Sequence, residues 1–329
     1  MPDAIRVVGI GLVISLIHSR GFIQGAVGHS LPDWEPIGSI LALAPVTWVA
    51  GYAAHLSYSR LEGQGRSIGS TARTFVARRL VRLYPLYLLM FCVFAALWYR
   101  DTSVTWITTQ ALGLGILSSK VLPPVLRTLY YVQLLLIFYL LFVGIMRARR
   151  TRERIGLTII GFLALTLVSI FFGDIRLSIY YPCFFIGVFV PLDFLTAPKR
   201  SVAVAGLVVF VASCSAMVLF DLSGDLSALC RIPAALGSLV ILAAVGNWLA
   251  RHVRASTLAR LSYASFGAYL VHRPMYGALG KLLHPASWWS AVAVFVVGTT
   301  LLAFALGHVL QWGYDWAMSR RSRRLPTAK

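Results

Sequence analysis

The stretch Arg78-Arg79-Leu80-Val81-Arg82-Leu83-Tyr84-Pro85-Leu86-Tyr87-Leu88-Leu89-Met90-Phe91-Cys92-Val93-Phe94-Ala95-Ala96-Leu97-Trp98 opens with three arginines within five residues, then runs to Trp98 without another charge. A helix needs about 20 mostly apolar residues to cross the hydrocarbon of a bilayer. The stretch therefore predicts a transmembrane helix with a basic mouth at one membrane face. At about 100° per residue, Arg78, Arg82 and Arg79 fall near about 0°, 40° and 100°, on one side of that helix. Two readings of the cluster stand side by side. It anchors the helix by the positive-inside rule, or it holds a polyanion, because guanidiniums grip phosphate in bidentate fashion.

The same apolar pattern recurs on both sides. Ten spans fit, at roughly 4–22, 36–57, 80–99, 128–147, 155–173, 176–194, 201–220, 227–249, 261–280 and 287–312. With 58% hydrophobic residues and a mean hydropathy of +0.78, the expected fold is all-α, a polytopic membrane helix bundle of about ten transmembrane helices. The connections are too short for a soluble domain. One transmembrane domain over residues 1–319 and a basic cytoplasmic tail over 320–329 are expected. The first apolar run, Ile5 to Ile17, has no small-residue cleavage site after it and reads as a first span. Cys92, Cys183, Cys214 and Cys230 all lie in apolar runs without metal-ligand spacing, so they read as small buried hydrophobes.

Charge sets the orientation. The formal net charge of +19 would suit nucleic acid if it lay along a solvated face. It falls instead in the short connections, so no nucleic-acid partner is expected. One alternate set of connections, with Arg6, carries 22 of the 30 Lys and Arg, including Arg78 to Arg82 and Arg147 to Arg154. The other set carries 7, and Arg273 lies inside a span. Both termini and the arginine cluster are thus expected in the cytoplasm. If Val104 to Ser118 spanned once, this bias would collapse, so that segment is expected to be a short re-entrant or surface helix on the outer side.

Ionisable groups in a bilayer are costly, and each is a functional candidate. No Asp or Glu lies deep in an expected span, which argues against a proton-coupled pump. His18 closes the first apolar run. A neutral imidazole there suits a general base on a hydroxyl, or equally a hydrogen bond to a neighbouring helix. His272 lies near mid-depth of its span, and Arg273 beside it must face a cavity or a partner. His308 has no companion motif and reads as structural.

In their order along the chain, these residues resemble the acyltransferase 3 family of integral-membrane acyltransferases. The pattern comprises His18-Ser19, Ala50-Gly51-Tyr52, Arg78-Arg79-x-x-Arg82-Leu83-Tyr84-Pro85, Tyr130-Tyr131 through Leu141, Phe184-Phe185-Ile186-Gly187, and Ser265 to Pro274. There are three departures. The family places an Arg eleven residues before the first-span His, whereas Arg6 stands twelve before His18. Eleven steps return to about 20°, but twelve land at about 120°; a π-bulge near Gly9 or Gly11 would absorb the extra residue. Tyr130 stands where the family often has Trp, and Leu135 where one branch has Glu.

The resemblance implies transfer of an acyl group, usually acetyl from acetyl-CoA, onto a hydroxyl of a carbohydrate or glycolipid. It implies no metal, and it implies multi-pass placement in a bacterial inner membrane. Acyl-CoA as donor would meet Arg78, Arg79, Arg82 and Tyr84. His18 would take the acceptor proton or carry the acyl group, with Arg6 as its catalytic companion. Tyr269, His272 and Arg273 would line the substrate cavity. With no deep carboxylate, a backbone carbonyl, Ser or Tyr must orient the imidazole. Two rivals remain. A lipid-linked-sugar glycosyltransferase would use the acidic pair of Asp33-Trp34-Glu35, which equally reads as a solvated loop. A transporter or flippase would use the glycines as helix breaks, although no repeat relates the two halves. Oligomeric state is not readable.

Overall fold

Each of the ten expected segments is helical over most of its described residues. The computed structural model describes residues 1–99, 102–123, 126, 128–190, 200–220 and 227–324. Arg100, Arg127, Lys199 and Lys329 of the charge pattern lie outside the described residues. The helices are α1 (Pro2–Val27), α2 (Glu35–Glu62), α3 (Ile68–Trp98), α4 (Val104–Ala111), α5 (Tyr130–Met146), α6 (Thr151–Phe171), α7 (Arg176–Phe189), α8 (Arg200–Leu219), α9 (Ala228–His252), α10 (Ala255–Leu283) and α11 (Trp288–Arg320). No strand occurs among the described residues.

Among the described residues, seven helices are long and apolar enough to cross a membrane: α1, α2, α3, α6, α8, α9 and α11. The helices α5 and α7 are apolar but only 17 and 14 residues long. At 1.5 Å per residue they reach about 26 and 21 Å, short of a hydrocarbon core of about 30 Å. Helix α10, with 29 residues, is long enough but carries Arg260, His272, Arg273 and Lys281. Helix α5 is buried on nearly every side, as expected of a helix that is hydrophobic all round.

The chain forms two units, residues 1–42 with 245–329, and residues 43–244. In the first, α10 packs along α11 and against α1. In the second, the crossing of α2 and α7 explains two of the sequence motifs. A Cβ on Gly51 would collide with the Phe184 carbonyl, and one on Gly187 with the Trp48 carbonyl. The glycines of Ala50-Gly51-Tyr52 and Phe184-Phe185-Ile186-Gly187 thus let two backbones touch, as small residues do in membrane bundles.

The segment after α3 is pinned rather than spanning. Helix α4 covers eight residues, about 12 Å, and starts on a Ser103 cap that accepts from the Trp106 N–H at 3.2 Å. Gln133 of α5 donates to the Tyr87 hydroxyl at 2.8 Å and to Gln110 Oε1 at 2.7 Å, and its Oε1 accepts from the Ile116 N–H at 2.8 Å. The Tyr87 hydroxyl donates to the Gln110 carbonyl. This buried polar network fixes the non-helical backbone after α4 against α3 and α5, which a membrane protein requires wherever backbone is not helical.

Candidate functional site

In the first unit, α1 is not a uniform α-helix. A π-helical turn occupies Val13–His18. Such a turn accommodates one extra residue, so the twelve steps from Arg6 to His18 act as eleven and return to about 20°. The bulge lies a few residues beyond Gly9 and Gly11, where the spacing anticipated it. Three side chains donate to carbonyls of this turn. The Tyr276 hydroxyl donates to the Ile14 carbonyl. Ser19 Oγ donates to the Ser15 carbonyl at 2.6 Å, and Trp34 Nε1–H to the Leu16 carbonyl at 3.2 Å. The Tyr276 bond is buried, and its donor satisfies a carbonyl that would be costly to leave unpaired in a membrane interior. A second π turn, Ala293–Gly298 in α11, packs against the first.

Those pins hold His18 at the end of its turn, facing α10. His18 Nδ1 and His272 Nε2 lie 2.6 Å apart. The ring planes differ by 2° with centroids 4.9 Å apart. That separation is accounted for by the N···N distance plus one ring radius on each side, so the rings meet edge to edge in a common plane. His272 is 0% exposed, and its Nδ1 lies 2.6 Å from the Tyr269 carbonyl. Pro274 lies inside α10 two residues later and has no N–H to meet the Leu270 carbonyl. Around the pair, Tyr276 sits edge-on to His272, and Phe22 stacks on Tyr276 with centroids 4.6 Å apart.

Arg6 is not part of this contact. Twelve residues of rise put it about 18 Å along the axis from His18, and it pairs with Asp3 at 3.9 Å. Asp3 also accepts from Ser262 Oγ at 2.7 Å. Arg273 is partly buried beside His272. Tyr269 contributes its carbonyl, a role that no side-chain pattern announces. Ser19 entered the sequence reading only as part of His18-Ser19 and Trp34 only between the two acids, neither as a donor to this turn; Tyr276, four residues after His272, was missed. His308 rests edge-on against Tyr263, centroids 5.4 Å apart.

Asp33 of the acidic pair is tied down. Asp33 pairs with Arg20 at 3.0 Å and accepts from the Glu35 N–H at 3.2 Å. Arg20 also donates to the Leu31 carbonyl at 2.7 Å. Asp33 thus serves as the anchor of a loop strapped to α1. Among the described residues, no group of three or more His, Cys, Asp or Glu is placed to hold a metal ion.

In the second unit, the arginine cluster divides. Arg78 and Arg82 are exposed. Arg79, about 100° round the helix, turns inward. It donates to the Ala53 carbonyl at 3.0 Å, and its guanidinium lies 5.2 Å from the Phe75 ring and 5.1 Å from the Tyr139 ring. Three guanidiniums on one open face are therefore replaced by two, with the third half-buried against two aromatic rings. Tyr84 is likewise engaged: its hydroxyl donates to the Ala111 carbonyl at 2.9 Å, fastening the end of α4.

The family model described as an acyltransferase domain matches residues 2–308. No curated protein and no solved structure matches the chain.

Proposed function

The chain belongs to the acyltransferase 3 family and is an acyltransferase, and on that premise we propose that it moves an acyl group, acetyl from acetyl-CoA, onto a hydroxyl of a carbohydrate or glycolipid acceptor. The observation that carries this reading is the edge-to-edge pair of His18 and His272 at 2.6 Å. It supplies an oriented imidazole without a buried carboxylate, in a chain whose expected spans hold no deep acid. His18 takes the proton of the acceptor hydroxyl as its oxygen forms a C–O bond to the thioester carbon. The C–S bond then breaks, and His18 returns the proton to the departing thiolate. Proton and electron pairs balance without a metal.

The donor carries about four negative charges on its 3′-phosphate and pyrophosphate, the kind of anion that guanidiniums bind. Exposed Arg78 and Arg82 meet those phosphates, while Arg79 braces the aromatic packing behind them. In this reading the chain crosses a bacterial inner membrane ten times with both termini in the cytoplasm. The excess of basic residues in alternate connections, 22 against 7, supports that orientation.

The deciding experiment needs no knowledge of the acceptor. Thermal unfolding of the detergent-purified protein is recorded with and without CoA species, for wild type and Arg78→Ala/Arg82→Ala. A ligand at about 100 times its Kd stabilises by about 2.7 kcal/mol. A shift that the double variant loses is the expected result; the absence of any shift at millimolar CoA rejects the donor.

A further inference from the structure

We infer that His272 is a positioning residue that holds His18 in its Nδ1–H tautomer, so that Nε2 of His18 is the nitrogen that takes the acceptor's proton. The inference rests on the acyl-transfer reading above and adds to it which atom reacts and what fixes that choice.

Donors and acceptors alternate along one line of contacts. The Tyr269 carbonyl can only accept. The His272 nitrogen 2.6 Å from it, Nδ1, therefore carries a hydrogen. His272 is 0% exposed, and no carboxylate among the described residues pairs with it. A buried cation without a counter-ion is costly at that depth, so the ring is neutral and its Nε2 is a lone pair. That lone pair faces His18 Nδ1 at 2.6 Å, so His18 Nδ1 must donate. In a neutral His18 the basic lone pair is then on Nε2. The 2° angle between the ring planes puts both the N–H and the lone pair in the plane each prefers.

Carbonyl, imidazole and imidazole thus do what a carboxylate does for a catalytic histidine on other folds: they choose the tautomer and the ring orientation. When Nε2 gains the proton, the imidazolium of His18 still donates its Nδ1–H to His272 Nε2. The arrangement spares the chain a permanent charge in the membrane interior. The pins on the Ile14, Ser15 and Leu16 carbonyls serve the same end by fixing the backbone that carries His18.

The test uses the full chain in detergent, labelled with ring-15N histidine. Long-range 1H–15N correlations report the tautomer of each imidazole, and His18 is assigned by its loss in His18→Gln. The expected spectrum shows His18 protonated at Nδ1 and bare at Nε2; a His18 protonated at Nε2 overturns the proposal. Transfer rates are measured alongside. His272→Gln places an acceptor oxygen near the site of Nε2 and keeps kcat within about 10-fold. His272→Leu keeps the packing but loses the acceptor, lowering kcat by about 10²- to 10⁴-fold, the upper figure being the cost of a wrong tautomer, with the donor KM unchanged. Equal rates in His272→Leu and His272→Gln overturn the positioning role. Full transfer by His272→Leu with none by His18→Gln removes the proposal and leaves acyl transfer through His18 intact. Full transfer by His18→Gln overturns both.

Discussion

Arg79 donates to the Ala53 carbonyl at 3.0 Å, whereas Arg78, its neighbour in sequence, stands exposed. The two arginines should therefore respond differently to removal. Arg79→Ala loses a bonded carbonyl and two ring contacts, and its unfolding free energy should fall by about 2 kcal/mol. Arg78→Ala/Arg82→Ala should stay within about 0.5 kcal/mol of wild type and weaken CoA binding at least about 10-fold. Thermal unfolding with and without CoA reads both. A double variant that keeps the CoA shift would return these arginines to topology anchors.

His18→Ala removes the proposed base. Acyl transfer should drop by about 10²- to 10⁴-fold, while the CoA-induced stabilisation persists, because the phosphate-binding arginines are untouched. Transfer measured with radiolabelled acetyl-CoA on membranes checks the first, and thermal unfolding the second. Wild-type transfer in this variant would reject the assignment.

The π turn makes a length prediction. Deleting Val13 leaves eleven steps between Arg6 and His18, which an uninterrupted α-helix carries at about 20°, so the deletion should fold and retain transfer within about 10-fold. Inserting an alanine after Gly11 adds a residue that no bulge absorbs. It swings His18 away by about 100° and should abolish transfer. Equal tolerance of the two changes would deny the turn its role.

Loss of a pin should loosen the same turn. Trp34→Phe and Tyr276→Phe each leave a carbonyl without its side-chain donor, costing about 1–3 kcal/mol. Thermal melts of the two variants in detergent test this, and an unchanged melting temperature in both would contradict it.

The crossing of α2 and α7 admits no Cβ. Gly51→Ala and Gly187→Ala should each lower stability by at least about 1–3 kcal/mol, measured by thermal unfolding, with no direct effect on the reacting groups.

Much of this molecule was legible in the sequence because hydropathy is additive and local. Every expected span became a helix, since apolar runs of that length have few alternatives in lipid. The expected short helix within Val104 to Ser118 is present as the eight residues of α4. The division of the arginine cluster was not legible: helical angle puts Arg79 near Arg78, but only the rings of Phe75 and Tyr139 decide that it turns inward. The partner of His18 lay 254 residues away, and periodicity within one helix carries no information about which helix lies opposite. The Tyr269 carbonyl was invisible for a simpler reason, since every residue has one and no side-chain pattern marks which of them takes a bond.

The bulge in α1 also changes what the word spacing means for this first span. Neighbouring helices register the direction in which a side chain leaves the axis, and that direction is a phase. A π turn advances the residue count while holding the phase nearly still. Two chains that place their histidine eleven or twelve residues after an arginine can therefore present the same compass bearing. For this span the quantity that the fold preserves is a bearing, and a motif written as a bearing would join chains that a motif written as a number keeps apart.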